Sequence, residues 1–459
     1  MQPNHGNNQR VQVTIESIDL EGKGIARIDG KAVFIHGALP QEVVLVEIYK
    51  QKPSFDLGRL ISIIEPSPDR VIPECPNFGV CGGCSQQHIS VAAQILNKQQ
   101  VLIDNLKHIG KVSPQSILPP LTGAPWGYRH RARMSARFVI KKGEALVGFR
   151  ESGSPYVAEM SECRILPQHI SDLLPKLREL LGSLKLKHDI PQIEVAVGDK
   201  SSVLVFRIMQ ELPESDAILI RQFVDTYHQT QNLSPNQDLD QSKNQLQIWL
   251  QPKGLDSCRP FYPNNTEMLS YSLPEFAIEM PYHPTEFTQV NPELNKKMVH
   301  QAITLLDLKP DDRVIDFFCG IGNFTLPIAK NVATIMAIEG SEALVKRATE
   351  NAKHNNLDHK VVFKAANLFA IDAEWLKQLG KQDKWLIDPP RDGCFELVKS
   401  ITDETAPSMI VYISCNPATL ARDAEVLVHT HGYKLMQAGV MDMFPHTSHV
   451  ESIAVFCKA

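Results

Sequence analysis

No stretch of the 459-residue sequence approaches the unbroken apolar length needed to cross a bilayer, which argues against a membrane-spanning role. The beginning of the chain lacks the charged-then-apolar pattern of a secretory leader. The cysteines number nine, an odd count. A disulfide scaffold is therefore not expected, and a reducing cytoplasmic compartment is. Surplus positive charge is missing too: a net charge of -5 argues against indiscriminate nucleic-acid binding. Apolar residues make up 43% of the chain, the range of globular proteins. The length exceeds what one core organises and fits about three domains.

The most structured signal begins at Arg313. Arg313-Val314-Ile315-Asp316-Phe317-Phe318-Cys319-Gly320-Ile321-Gly322-Asn323-Phe324 reads as a short apolar strand entering a glycine turn, and Thr325 to Ala329 opens a helix. Glycine at 320 and 322 lets the backbone approach a ligand where a β-carbon would collide. A second strand, Thr334 to Glu339, ends in an acid placed to accept hydrogen bonds from both ribose hydroxyls of an adenosine cofactor. The third glycine of the dinucleotide fingerprint is absent. The order continues through Ala366-Asn367-Leu368 and Trp385-Leu386-Ile387-Asp388-Pro389-Pro390, so S-adenosyl-L-methionine ranks above NAD as the cofactor.

Amino-group methylation of adenine calls for an aromatic residue after Asp-Pro-Pro, and here Arg391 follows. Cys415 lies further on, in Ile413-Ser414-Cys415-Asn416-Pro417. The C5 atom of uracil is a poor nucleophile, but a thiolate adding to C6 turns C5 into the carbon end of an enolate that accepts a methyl group. A base then removes the C5 proton and the thiol is expelled. One cysteine and one carboxylate suffice, and Cys415 and Glu451 are the candidates. A buried strand-end cysteine is common. The Ser-Cys-Asn-Pro setting at a strand's carboxyl end favours function, because open α/β sheets bind ligands along that edge.

Cys75, Cys81 and Cys84 form a C-x5-C-x2-C run rich in glycine, and Cys163 can complete a set of four. Four thiolates fit either zinc or an iron-sulfur cluster; a triplet with one distant cysteine departs from the two close pairs usual for structural zinc and favours iron-sulfur.

Before that cluster, Val11 to Ile15, Ala32 to Ile35, Val43 to Val46 and Leu60 to Ile63 read as short strands between glycine turns, a small closed β-barrel of OB-like type. Glu21-Gly22-Lys23-Gly24-Ile25-Ala26 and the stretch from Asp29 to Pro40 resemble the RNA-binding TRAM module, on which Lys23, Arg27 and Lys31 would face RNA. The centre of the chain reads as α+β, with a helix over 171–184 and a hairpin turning at Gly198-Asp199. Arg129, Arg131, Arg133, Arg137, Lys141, Lys142 and Arg150, interleaved with aromatics and opposed by Glu144 alone, suit contact with single-stranded RNA. His228 to Gln247, rich in Gln, Asn, Ser and Asp, reads as an exposed insertion. The fold expected is multidomain α/β: a barrel over 1–70, an α+β domain with the cluster loop over 71–282, and a class I, Rossmann-like methyltransferase domain over 283–459.

Phe287-Thr288-Gln289-Val290-Asn291, Asp316 to Phe324, Asp388 to Arg391, Ser414 to Pro417 and His449-Val450-Glu451 together resemble the RNA 5-methyluridine methyltransferases. The resemblance implies that Gln289, Phe318, Asn323, Glu339, Asn367 and Asp388 contact cofactor or target uracil, with Cys415 as nucleophile and Glu451 as base. Large-subunit rRNA members of that family carry a [4Fe-4S] cluster on this cysteine pattern, which implies Cys75, Cys81, Cys84 and Cys163 as ligands. The tRNA-directed members lack both cluster and TRAM module. The expected partner is therefore 23S rRNA, bound by a monomer with no protein partner or membrane implied, the target base flipped out of any stack. Two other readings stand beside this one: the same chemistry on another rRNA site or on tRNA, and a non-catalytic iron-sulfur RNA-binding protein.

Overall fold

The computed structural model describes residues 10–19, 22–232, 245–264 and 266–458. The chain divides into two compact units, Met1–Val101 with Phe444–His449, and Leu102–Met443 with Val450–Ala459. No described helix is long and apolar enough to cross a membrane.

In the first unit the alternation of apolar and polar residues produces a six-stranded sheet. Arg10–Thr14 pairs with Val43–Gln51 on one side, and the next segment, Ser17–Ile18, pairs with Lys23–Ile28 at the opposite end of the strand order. Glu16 N donates to Ile25 O at 2.8 Å and Ile15 N to Glu42 O at 2.9 Å, so consecutive residues join both ends of the sheet and close the barrel. Inward positions two apart (Val33 and Ile35; Val44, Val46 and Ile48) fill its interior. Glu42 is fully buried. Burial works against its charge, but Arg70 Nε at 2.5 Å and the N–H groups of Leu39 and Ser67 prevail and hold its carboxyl below the usual range. Past the barrel, the helix Val91–His108 carries a buried Gln94 that receives His446 N at 2.8 Å and donates to Gln86 O and Ile89 O. Ser85 N and Gln86 N both donate to His446 O, at 2.9 and 3.0 Å.

In the second unit, the predicted hairpin is present, with Val197 opposite Ser202. It lies in a six-stranded sheet ordered Arg259–Tyr262, Gln245–Gln251, Ser201–Arg207, Gln192–Val197, Arg131–Val139, Glu144–Gly148. The helix Leu173–Ser183 buries Leu173, Leu174, Leu177, Leu180 and Leu181 along one face, the helical spacing expected. The polar insertion is shorter than its composition suggests. His228 lies inside the helix Glu214–Asn232, and Gln245 already begins the next strand, which runs parallel to Ser201–Arg207; residues 233–244 lie outside the described residues.

The second sheet of this unit has eight strands, in the order Val361–Ala365, Thr334–Glu339, Arg313–Phe317, Lys384–Ile387, Met409–Ser414, Glu451–Lys458, Tyr433–Met441 and Ser116–Ile117. The first five are parallel, and Glu451–Lys458 runs antiparallel between its two long neighbours. Helices connect the parallel strands, whose central residues Val314, Ile315, Leu386, Ile387, Ile410 and Val411 are buried. Strand order reverses between Arg313–Phe317 and Lys384–Ile387, and such a switch point leaves a crevice at the carboxyl ends of the strands.

The barrel interior gives a stability test. A β-carbon added at Gly58 would stand 2.3 Å from Val46 Cγ1 and 3.1 Å from Ile35 Cγ1. Gly58→Ala is expected to cost about 1–3 kcal/mol through overpacking, seen as a lower denaturation midpoint of the full chain. An unchanged midpoint would show that the barrel yields at this point.

Candidate active site at the carboxyl ends of the parallel strands

The glycine turn after Arg313–Phe317 folds back under Glu339. Phe318 has φ 64°, Gly320 φ 55° and Gly322 φ 97°, so the backbone takes a left-handed path that phenylalanine adopts only under constraint. Glu339, at the end of its strand, accepts Gly320 N on Oε2 and Ser341 N on Oε1, both at 3.1 Å. A β-carbon at Gly320 would meet nothing within 4 Å, so open space adjoins the backbone beside this carboxylate. The Phe318 ring lies 5.8 Å from that of Phe369. Asn367 is exposed, and its Oδ1 accepts Phe369 N at 3.1 Å within its own turn.

Asn323 is more heavily engaged than its motif position suggests. Its amide forms a reciprocal pair with Asn295, both bonds at 2.9 Å, and its Oδ1 also accepts from Tyr271 OH at 2.8 Å. Gln289 borders a cavity of about 20 Å³ whose walls include Asn295 and Tyr271. Gln289 thus shares this cavity with the two residues that bind Asn323 of the glycine turn. No motif announces Asn295 or Tyr271; the available sign is a polar residue on the apolar stripe Leu294, Met298, Val299, Ala302 of the helix Pro292–Leu306.

The carboxylates are crowded. Asp316 is fully buried, which is the main reason its carboxyl is pushed up to about 8; nearby Asp388 and Glu339 add to this, while Thr325 Oγ1, donating at 2.5 Å, opposes it. Asp388, just past Lys384–Ile387, keeps part of its surface open, yet the protein around it pushes its carboxyl up to about 7.

Cys415 follows the strand Met409–Ser414, where Asn416 caps the helix Pro417–Glu425 by accepting Ala418 N at 3.1 Å, with Pro417 at the first helical position. Ser414 pairs with Ser452 at the end of the antiparallel ladder, and Cys415, in the bend after its strand, and Glu451 are the next residues on the two sides. Burial raises the Cys415 thiol to about 11, and the negative charges of Glu451 and then Asp388 add to the effect; the local backbone and Arg391 pull the other way. At neutral pH the thiol rests protonated. Glu451 is itself buried. Cys415, Glu451 and Asp388 are therefore electrostatic neighbours at the sheet edge.

In the first unit, Phe78 N donates to Cys75 O at 3.1 Å, Cys81 N to Asn77 O at 2.9 Å, and Gly83 N to Cys81 Sγ at 3.4 Å. Burial raises the Cys81 thiol, and nearby Cys75 adds to it. Cys163, in the second unit, is buried with its N–H donated to Ser171 Oγ at 2.9 Å. Among the described residues, no three His, Cys, Asp or Glu side chains stand close enough together to hold a metal ion.

The sheet order, glycine turn and strand-end acid define the class as a Rossmann-like, S-adenosylmethionine-dependent methyltransferase. Residues 265–459 match the family model of tRNA (Uracil-5-)-methyltransferase, and residues 5–61 match the TRAM domain. The 23S rRNA (uracil(1939)-C(5))-methyltransferase RlmD of Chromobacterium violaceum is 54% identical over 97% of this chain and 84% of its own. Its namesake from Nitrosospira multiformis is 50% identical over 97% of this chain and 98% of its own. The crystal structure of Pyrococcus abyssi tRNA (uracil-54, C5)-methyltransferase in complex with S-adenosyl-L-homocysteine superposes with a TM-score of 0.72 at 22% identity, covering 97% of this chain and 100% of that one, and shows the same fold. The chain belongs to the uracil-C5 RNA methyltransferase family.

Because Glu451 helps to hold the Cys415 thiol high, Glu451→Gln removes a negative neighbour and should lower the thiol's titration midpoint. Alkylation of Cys415 at mildly alkaline pH, followed by mass spectrometry of its peptide, is expected to accelerate by about three- to tenfold. An unchanged rate would separate the two side chains electrostatically.

Proposed function

We propose that this protein methylates C5 of uracil 1939 in 23S rRNA, the reaction in the names of its half-identical relatives. The observation that carries the proposal is the Ser414–Ser452 pairing at the carboxyl edge of the sheet, next to Cys415 and Glu451, together with the effect of Glu451 on the Cys415 thiol. S-adenosylmethionine, when bound, supplies the methyl group, and Glu339 beside the open backbone at Gly320 suits its ribose. The Cys415 thiol gives up its proton to water and the thiolate adds to C6 of the uracil, so that electron density moves to C5, which takes the methyl group. Glu451 then removes the C5 proton as the sulfur–C6 bond breaks and the thiolate leaves, to be reprotonated from water. Asp388, with a carboxyl that titrates near neutrality, faces the same thiol and is suited to hydrogen-bond the base in either protonation state. Gln289, Phe318, Asn323 and Asn367 complete the contact set, Asn323 chiefly by fixing the turn with Asn295.

The functional division follows the three segments 1–70, 71–282 and 283–459, with the barrel and basic strand as RNA contacts. The basic strand does not act as one solvated face. Arg131 donates to Pro284 O at 2.8 Å and lies over the Tyr282 ring, while Arg133 is exposed and pairs with Glu194. In the barrel, Lys31 pairs with Asp56 and Arg27 with Glu16. Release of such pairs to phosphate would make RNA binding dependent on salt.

Cys415→Ala is expected to abolish formation of 5-methyluridine in the target RNA while leaving S-adenosylhomocysteine binding intact. RNA carrying 5-fluorouridine should give a covalent adduct with the wild type in the presence of cofactor and none with the variant. Adduct formation by Cys415→Ala would remove this thiol from the chemistry.

The finer reading of the cysteine loop is a [4Fe-4S] cluster on Cys75, Cys81, Cys84 and Cys163. Its support is the donor set and the N–H···S bond from Gly83, a contact that favours a charged sulfur. The side-chain geometry described above does not itself gather three donors, so this reading supplies no step in catalysis. Protein purified without oxygen is expected to be brown and to contain iron and acid-labile sulfide in equal amounts; zinc with no iron overturns it.

A further inference from the structure

We propose that Asp423 is a positioning residue that holds the loop after Asp388 against the elements carrying Cys415; its functional consequence rests on the methyl-transfer reading above. Asp423 is fully buried. Its Oδ2 accepts Cys394 N at 2.8 Å and Tyr412 OH at 2.7 Å, and its Oδ1 accepts Arg422 Nε at 2.8 Å and Nη2 at 2.7 Å. Arg422 Nη2 continues to Asp392 O at 2.9 Å.

These partners come from three separate places. Tyr412 lies on the strand that ends before Cys415, Cys394 and Asp392 lie on the loop that begins at Asp388 and Arg391, and Arg422 lies on the helix that Asn416 caps. Asn416 Nδ2 and Thr419 Oγ1 both donate to Arg391 O, at 3.1 and 3.3 Å, and draw the same loop to the same helix. Between the two sets of bonds sits Gly393, at φ 75°, where a β-carbon would stand 2.7 Å from both Asp423 Oδ2 and Arg422 Nη2. The loop backbone therefore approaches the carboxylate more closely than any side chain would permit.

A buried ion pair is a weak source of net stability, because desolvation offsets much of the attraction. What this one supplies is geometry. Asp388 and Arg391 act on the Cys415 thiol in opposite senses, so a shift of their loop alters both the reach of the thiol to a base and its ionisation.

Two full-length variants test the assignment. Asp423→Asn keeps only one of the two acceptor oxygens, so its NH2 must face either Cys394 N–H and Tyr412 O–H or the Arg422 guanidinium. Arg422→Lys leaves the carboxylate in place and removes the fork that reaches Asp392, and its fold is checked by circular dichroism. Both are expected to slow single-turnover methyl transfer by about 10- to 100-fold, with S-adenosylhomocysteine affinity by calorimetry within about twofold of wild type. Both should also displace the pH midpoint of Cys415 alkylation. Transfer rates within about twofold of wild type in both variants, or cofactor affinity lost in step with rate, overturn the proposal. If the wild-type chain makes no 5-methyluridine, the functional reading fails, and the alkylation profile still decides the positioning: an unchanged midpoint in both variants overturns it.

Discussion

The antiparallel pairing of Met409–Ser414 with Glu451–Lys458 is the constraint on which the site depends. Five parallel strands alone would leave Cys415 at the sheet edge with its neighbours supplied by loops. The reversed strand brings a carboxylate to the same edge on a rigid element, one residue beyond Ser452, whose Oγ donates to Ser414 O at 3.1 Å. A shift of one residue in that pairing would turn Glu451 to the opposite face of the sheet. Glu451 therefore takes its position from a strand anchored in the core, and Cys415 directly follows one, a more exact support than a long loop.

The same placement has an electrostatic consequence. A thiol flanked by Glu451 and Asp388, and partly withdrawn from water, is a poor nucleophile at rest. Such a cysteine is protected from adventitious oxidation and alkylation, and its ionisation becomes favourable only when the local charge changes. Asp316, Asp388 and Glu339 crowd together near the open space beside Gly320, and the crowding and burial favour the protonated forms of the first two. A cation arriving there would favour ionisation of these carboxyls and of the thiol alike.

Much of the candidate site was legible because the chemistry proposed for it needs particular residue types at strand ends. Asp388, Cys415 and Glu451 stand beside runs such as Trp385-Leu386-Ile387 whose apolar character already marks buried strands. The barrel was legible through its period-two alternation. Contacts between residues remote in sequence were not. Asn295 and Asn323 find each other across a helix and a turn, and Asp423 looks in the sequence like one more charge on an amphipathic helix although it is wholly buried. The basic stretch misled in detail, since composition cannot distinguish Arg131, turned in against Tyr282, from Arg133, held outward on Glu194. The polar stretch after His228 was overextended for a similar reason: helix Glu214–Asn232 and strand Gln245–Gln251 draw in its ends because their partners are buried.

The short segment Phe444–His449 belongs to the unit otherwise built from the amino-terminal hundred residues, and the chain leaves it one residue before Glu451. Gln94, Ser85, Gln86 and Lys98 all grip its backbone. The amino-terminal unit therefore draws on both ends of the sequence, and removing residues 1–101 would leave Phe444–His449 without its backbone partners.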